Sequence, residues 1–328
     1  MVPELVSAGE IREASQRLDG VAVHTPLLPV PALSPGLLVK PESLQPVGSF
    51  KLRGAYAAIS ALPAEERRRG VVAHSSGNHG YAVAYAAALL GVPAAVVVPE
   101  TAPAVKTDAI RAAGAELVTV EPTMPARVAA AAELVARQGR VLIPPFDDRR
   151  VIAGQGTIGL EIAADCPGAD LVVVPVSGGG LISGIAVAIH ASCPRTAIVG
   201  VEPEFAADAR DSLRKGEPVA WPAESVRRTV ADALRVERVG DLPFAHMREH
   251  LAGIVTVSDE EMLAAVRRLA FGARLVAEPG GAAAVAACLF RGDELPAART
   301  RVAVLSGGNI DPALFARLLR DPGNGSRP

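Results

Sequence analysis

Two apolar runs that end in glycine limit this chain more than any other feature. Leu171-Val172-Val173-Val174-Pro175-Val176 leads into Ser177-Gly178-Gly179-Gly180, and Val302-Ala303-Val304-Leu305 leads into Ser306-Gly307-Gly308-Asn309. Both runs are continuously hydrophobic, which is how a strand reads when helices cover both faces of a parallel sheet. Residues 181–191, after the first loop, read as a helix. A strand, a glycine loop and a helix N-terminus together make an anion site. Glycine lets amide N–H groups close on phosphate oxygens, and the helix dipole favours the negative charge. A tight turn needs one glycine; three in succession exceed that need, and a bound phosphate is the expectation.

The same alternation runs along most of the chain. Candidate strands are 71–74, 94–98, 116–120, 141–143, 171–176, 197–201, 254–257 and 302–305; alanine-rich helical stretches lie at 79–90, 104–113, 125–138, 157–164, 181–191 and 259–271. Strand-helix alternation points to a doubly wound α/β fold. Ser7-x-x-Glu10 and Ser258-x-x-Glu261 are capping boxes that start helices. Single cores stop growing at about 250–300 residues, so a chain of 328 residues is expected to form two lobes. Residues 66–147 form the smaller lobe, 1–65 with 148–320 the larger, and 321–328 a flexible tail. Residues 210–248 carry no clear period.

Composition excludes several classes. Net charge is -2 without a basic block, and aromatics are 3%, so nucleic acid is not an expected partner. Cys166, Cys193 and Cys288 form no CxxC pair and read as free thiols in a reducing compartment. Residues 1–10 show no signal peptide, and the longest apolar stretch, 82–90, is too short to span a bilayer. A soluble cytoplasmic protein with no membrane partner follows.

Lysine is scarce: Lys40, Lys51, Lys106 and Lys215 are all there are. Arginine stays charged, whereas a lysine in a dry pocket can lose its proton and attack a carbonyl. Lys51 stands in Gly48-Ser49-Phe50-Lys51-Leu52-Arg53-Gly54, and Ser75-Ser76-Gly77-Asn78-His79-Gly80 follows another strand. Amides of the latter loop could cradle a carboxylate; Asn/Ser capping of a helix is the plainer reading. Together with the phosphate loop, these segments describe a pocket for a phosphorylated aldehyde held by a lysine. Gly154-Gln155-Gly156-Thr157-Ile158-Gly159 matches the dinucleotide pattern GxGxxG, but no proper strand feeds it and no acidic residue ends a following strand at the right distance. It reads as a glycine-tolerant helix start packed between lobes.

These four motifs, in this order, resemble fold-type II pyridoxal-phosphate enzymes (tryptophan synthase β-like), in the branch of serine/threonine dehydratases and serine racemase. His24-Thr25-Pro26-Leu27, Lys40-Pro41-Glu42-Ser43-Leu44-Gln45, Phe146-Asp147, Ala153-Gly154-Gln155-Gly156-Thr157, Thr229-Val230-Ala231-Asp232 and Glu278-Pro279-Gly280-Gly281-Ala282 add to the likeness, which spans about residues 20 to 310. The resemblance implies two lobes, each a mostly parallel open sheet covered by helices, and a homodimer. It implies that Lys51 joins the pyridoxal 5'-phosphate aldehyde as an imine, that Phe50 packs by the ring, and that Asn78 bonds the ring hydroxyl oxygen. Gly178, Gly179, Gly180 and Leu181 would hold the phosphate, and Ser306 the pyridine nitrogen. Glu278 would lie close to the ring, while Ser75, Ser76, Gly77 and His79 would line the substrate carboxylate. A hydroxyl at Ser306 leaves the ring nitrogen largely unprotonated, which favours loss of a β leaving group over transamination.

The implied activity is deamination of a small β-hydroxy amino acid such as L-threonine or L-serine to a 2-oxo acid and ammonia. Alternatives are a 3-hydroxyaspartate-like substrate and an amino-acid racemase using Lys51 and Ser76 on opposite ring faces. Rivals of other classes are a nicotinamide-dependent oxidoreductase on Gly154–Gly159 and a non-catalytic amino-acid-binding protein. In racemase-like relatives a strand-end glutamate, a carbonyl four residues on and an aspartate six on bind a divalent cation. Glu202, Ala206 and Asp208 fit that spacing, with hard oxygens suited to Mg²⁺, Mn²⁺ or Ca²⁺; a solvated acidic helix start is the alternative. Tyr81, Ala233 and Ser177 depart from the family pattern, where glutamine, glycine and glycine are usual.

Overall fold

The computed structural model describes residues 3–75, 77–102 and 104–320. Its strands are β1 (Leu28–Pro29), β2 (Leu37–Pro41), β3 (Val71–Ala73), β4 (Ala94–Pro99), β5 (Glu116–Val120), β6 (Val141–Leu142), β7 (Leu171–Pro175), β8 (Ala197–Pro203), β9 (Gly253–Val257) and β10 (Arg301–Leu305). They form two sheets, one of six strands in the order β1-β2-β10-β7-β8-β9 and one of four in the order β5-β4-β3-β6. Every pairing is parallel except β1 with β2. The α/β class with two mostly parallel sheets is therefore as expected.

The continuous apolar runs sit where their composition requires. β7 is buried along its whole length, and Val172 and Val174 pack into one apolar layer while Leu171 and Val173 pack into the other. Covering helices differ in how they are specified. Ala8–Leu18 and Asp259–Arg268 begin with complete capping boxes at Ser7 and Ser258, which satisfy amides that a helix start leaves open.

The helix expected to start near Gly154 runs instead from Arg149 to Asp165. Asp148 accepts from the amides of Arg150 and Val151 and so fixes the start a full turn earlier. The glycines serve close packing. A side chain at Gly154 would meet the Arg53 carbonyl at 2.5 Å, and one at Gly156 the Gly184 carbonyl at 2.8 Å. This places the helix against Lys51–Ser60 on one side and Gly180–Ser192 on the other. Residues 210–248 resolve into Asp208–Lys215, Ala223–Val226 and Asp241–His250.

A buried ionic network lies under the helix Lys51–Ser60. Arg53 donates to both oxygens of Glu42, at 2.8 and 2.9 Å, and to Glu161 at 2.5 Å. Lys40 donates to Glu161 and to the Thr25 carbonyl, each at 2.5 Å. Thr25 Oγ1 donates to Glu42 at 2.7 Å. Each buried charge is thus paired and hydrogen-bonded, the condition under which burial is tolerated. No helix among the described residues is long and apolar enough to cross a membrane.

Candidate active site

Lys51 is placed by a backbone clasp between two loops. The Phe50 amide donates to the Ser306 carbonyl at 3.1 Å, and the Gly308 amide to the Gly48 carbonyl at 2.9 Å. Ser49 and Gly307 form an isolated bridge between them. Gly48 has φ +70°, and a side chain there would strike Asn309 Oδ1 at 2.3 Å. The clasp brings the carboxyl end of β10 beside the first residue of the helix Lys51–Ser60. Lys51 Nζ donates to the Pro145 carbonyl at 2.6 Å and stands 5.0 Å from the Phe50 ring centre. Desolvation lowers its pKa to about 8. Roughly a tenth of it is then neutral at pH 7, against well under a hundredth for an ordinary lysine.

The phosphate loop is a cradle that side chains would fill. Gly179 has φ +89°, and a Cβ on Gly178 would lie 2.2 Å from the Phe146 ring. A Cβ on Gly180 would come within 2.8 Å of the Phe146 carbonyl. Among the described residues the amides of Gly178, Gly179, Gly180 and Leu181 donate to no backbone carbonyl, as expected for a loop entering a helix N-terminus. They are available to an anion, so the residues present fit a phosphate. Ser306 is buried at the end of β10, a neighbour of β7, from which this loop emerges.

Asn78 opens the helix Asn78–Leu89 and is held from two sides. Its Nδ2 donates to Glu278 Oε1 at 2.6 Å, and its Oδ1 accepts from Asn309 Nδ2 at 2.8 Å. The second N–H of Asn78 can serve a phenolic oxygen. Glu278 is itself buried, and its amide donates to the Gly307 carbonyl at 3.1 Å. His79 is buried with Nε2 at 2.8 Å from the Ile143 carbonyl, to which it donates. Burial and the neighbouring Lys51 charge lower its pKa to about 3, so the ring is neutral. Nδ1, without a partner, is then an acceptor rather than a carboxylate donor. Ser75 Oγ accepts from the Gly77 amide at 3.3 Å. Ser76 lies outside the described residues.

Glu202 ends β8 and Asp208 opens Asp208–Lys215; both are buried, so neither belongs to a solvated helix start. The Glu202 carboxylate accepts from the amides of Ala209 and Arg210 at 3.0 and 2.8 Å. Among the described residues Asp208 Oδ2 has no partner. Burial pushes the Glu202 carboxyl well up, and the Asp208 charge pushes it further; burial also pushes Asp208 up, to about 7. Ala206 is buried in the turn between them, its amide donating to the Pro203 carbonyl at 2.9 Å. An orphaned carboxylate oxygen beside a second buried carboxylate fits a cation. Two carboxylates and a carbonyl leave the rest of the shell to water; among the described residues no group of three or more His, Cys, Asp or Glu gathers as a metal cluster.

Two contributors escaped sequence reasoning. Asn309 was legible only as part of a glycine motif; its link to Asn78, 231 positions away, is a tertiary fact. Phe146 was legible as a landmark beside Asp147, but its packing over Gly178 was not. Asp147 itself accepts from the amides of Asp241 and Leu242, each at 3.1 Å.

Comparison with known proteins agrees with this geometry. The family model described as "Pyridoxal-phosphate dependent enzyme" matches residues 19–307. The L-threonine ammonia-lyase of Thermotoga maritima is 41% identical, over 96% of this chain and 78% of its own. The L-threo-3-hydroxyaspartate ammonia-lyase of Saccharomyces cerevisiae is 38% identical, over 95% of each. The structure of maize serine racemase superposes with a TM-score of 0.91 at 33% identity, covering 96% of this chain and 97% of that one.

Proposed function

The chain belongs to the pyridoxal-phosphate dependent enzymes of fold type II, in their threonine dehydratase and serine racemase branch, and from that membership we propose that it is an ammonia-lyase of small β-hydroxy amino acids. The products are a 2-oxo acid and ammonia. Bound pyridoxal phosphate supplies the electron sink for bond breaking at the substrate Cα. The amides of Gly178, Gly179, Gly180 and Leu181 would hold its phosphate, Asn78 would face its phenolic oxygen with Glu278 alongside, and Phe50 would pack by the ring. Lys51 would tether it covalently, and as a neutral amine its Nζ would take the Cα proton. The loop Ser75, Ser76, Gly77 orients the substrate carboxylate, with His79 packed behind it.

The observation that carries the lyase reading is Ser306, a buried residue with a neutral hydroxyl, whose carbonyl is clasped to the Phe50 amide next to Lys51. A carboxylate there would protonate the ring nitrogen and deepen the sink; a hydroxyl favours prompt departure of the β-hydroxyl as water. The similarity to the Thermotoga lyase supports it. A second reading, an amino-acid racemase, draws on the maize racemase fold and on Ser76 as a second acid/base on the opposite ring face. Assay of the holoenzyme on a panel of L- and D-hydroxy amino acids separates them. Release of 2-oxo acid supports the lyase; enantiomer interconversion without oxo acid overturns it.

On the same reading the enzyme is a cytoplasmic homodimer, tested by light scattering of the purified protein. Residues 66–147 act as the smaller lobe against 1–65 with 148–320. Glu202, the Ala206 carbonyl and Asp208 would hold a Mg²⁺ or Mn²⁺ ion.

A further inference from the structure

Two helices lead away from the phosphate loop, and a histidine pair joins their far ends. Gly180–Ser192 starts at the loop itself. Asp241–His250 starts where the Gly240 amide donates to the Gly178 carbonyl at 3.2 Å, and the two helices pack together. His190 lies in the last turn of the first helix, and His250 is the last residue of the second. Ten residues of helix separate Gly180 from His190, about 15 Å at 1.5 Å per residue. The pair therefore lies outside the cofactor pocket, and the chemistry above does not use it.

His190 Nδ1 and His250 Nδ1 are 3.2 Å apart, while the ring centres are 5.2 Å apart with planes at 62°. The nitrogens are nearer to each other than the ring centres are, so the two Nδ1 atoms face one another. A hydrogen bond between them needs a proton on one and a lone pair on the other, and 3.2 Å is at the long end of the range for such bonds. A tetrahedral ion with metal–nitrogen bonds of about 2.0–2.1 Å holds two nitrogens roughly 3.3 Å apart. The rings thus already stand at the spacing that a shared cation requires. Both residues are half-buried, which leaves solvent access to the pair. Each closes a helix, and the carbonyls at a helix C-terminus favour positive charge. Burial, and then the charges of His190 and His246, lowers the pKa of His250, so its ring is neutral at pH 7 and has a lone pair to give.

The surrounding groups have other tasks. The His246 ring centre is 6.5 Å from that of His250, but both its nitrogens are occupied. Nε2 accepts from the Val6 amide at 2.9 Å, and Nδ1 donates to the Leu242 carbonyl at 2.8 Å. Cys193, one turn past His190, donates through Sγ to the Pro167 carbonyl at 3.6 Å. Among the described residues no third His, Cys, Asp or Glu joins the pair.

We propose that His190 and His250 bind one borderline transition-metal cation, Zn²⁺ or Cu²⁺, through their Nδ1 atoms, with water in the remaining positions. Imidazole suits these ions, whereas carboxylate and carbonyl oxygens suit Mg²⁺, Mn²⁺ and Ca²⁺. The site therefore differs in chemistry from Glu202 and Asp208. The ion ties together the far ends of two helices whose near ends meet at the phosphate loop. It does so whichever amino acid the enzyme turns over.

Electron paramagnetic resonance of the holoenzyme with one equivalent of Cu²⁺ should show two coordinated imidazole nitrogens. His190→Gln and His250→Gln should each show one or none. Calorimetric titration with Zn²⁺ in excess Mg²⁺ should find a site that both variants lose and Cys193→Ser keeps. At a hundredfold excess over Kd, Zn²⁺ should raise Tm by roughly 3 °C or more in wild type and leave both histidine variants unmoved. Where a variant fails to fold, wild type alone decides. Zn²⁺ should then protect both His190 and His250 from acylation by diethyl pyrocarbonate, read by peptide mapping. Protection of fewer than both overturns the proposal. So does a Zn²⁺ site that either histidine variant keeps at full strength. Absence of any Zn²⁺ site at micromolar metal would likewise overturn it and leave the pair a hydrogen bond.

Discussion

Lys51 Nζ donates to the Pro145 carbonyl at 2.6 Å, tying the helix that starts beside Ser306 to the chain leaving β6 of the other sheet. Burial lowers the Lys51 pKa to about 8, so the free amine needed for attack on an aldehyde becomes abundant as pH rises through that value. The apo-protein should take up pyridoxal phosphate with a rate that climbs between about pH 7 and 9 and then levels. Stopped-flow absorbance near the imine band follows it. Lys51→Ala should show no such band, and peptide mapping after borohydride should find the adduct at position 51. A wild-type adduct on another lysine would falsify the assignment.

Gly178 leaves room for the Phe146 ring, which a methyl group at that position would overlap at 2.2 Å. Gly178→Ala should displace the ring or the loop and weaken cofactor binding about tenfold or more, given the ~1–3 kcal/mol that overpacking costs. Pairing it with Phe146→Ala should recover part of the loss, because the overlapping atoms are gone. Cofactor titration of the apo-proteins measures both. Equal affinity in wild type and Gly178→Ala would mean that the loop does not form the phosphate cradle.

Arg53 sits between Glu42 and Glu161 with almost no solvent exposure. Burial alone would raise the Glu42 pKa, but the Arg53 charge and hydrogen bonds outweigh it and leave it lowered. A depressed carboxylate contributes stability that is present above its unfolded pKa and lost as pH falls through the folded value. Wild type should therefore lose stability below about pH 4.5 as this network protonates. Arg53→Met leaves the buried Glu42 carboxylate without its paired cation and should cost about 3–5 kcal/mol at pH 7. Its penalty should shrink toward acid, where that carboxyl is neutral. Urea midpoints for both proteins between pH 4 and 7 decide; a penalty unchanged across that range would show that the network charges do not govern stability.

The fold was readable wherever local signals and tertiary packing agree. β5 lies on its expected residues, and β7 and β10 differ from theirs by one residue at an end, because continuous apolar runs have no other stable place in a covered sheet. β2 was not legible: Lys40 stands in it, and a lysine argues against an interior strand until Glu161, 121 positions away, is seen to pair with it. The helix Lys51–Ser60 went unread because Phe50 at its N-cap makes no side-chain cap bond. Arg149–Asp165 was truncated because three glycines obscure a helical pattern, although their small size is what lets two neighbouring helices approach. Lys51 and the phosphate loop could be proposed from sequence since each is a contiguous motif. The union of Asn78, Glu278 and Asn309 could not, since Asn78 lies 200 positions from Glu278 and 231 from Asn309.

Asp208 Oδ2 is buried without a partner beside the buried carboxylate of Glu202, an arrangement that a divalent cation would relieve. Binding to the folded state alone raises stability by mass action, about 2.7 kcal/mol at a hundredfold excess over Kd. Magnesium or manganese added to chelator-treated protein should raise Tm by several degrees, and calcium should substitute in part since all three take oxygen ligands. Asp208→Asn keeps the shape, removes the charge, and should abolish the cation-dependent rise while leaving the metal-free Tm equal or higher, because repulsion with Glu202 is gone. Differential scanning calorimetry on both proteins, with and without each cation, is the measurement. A rise of the same size in Asp208→Asn would place the cation elsewhere, and no rise in wild type at millimolar metal would remove the site.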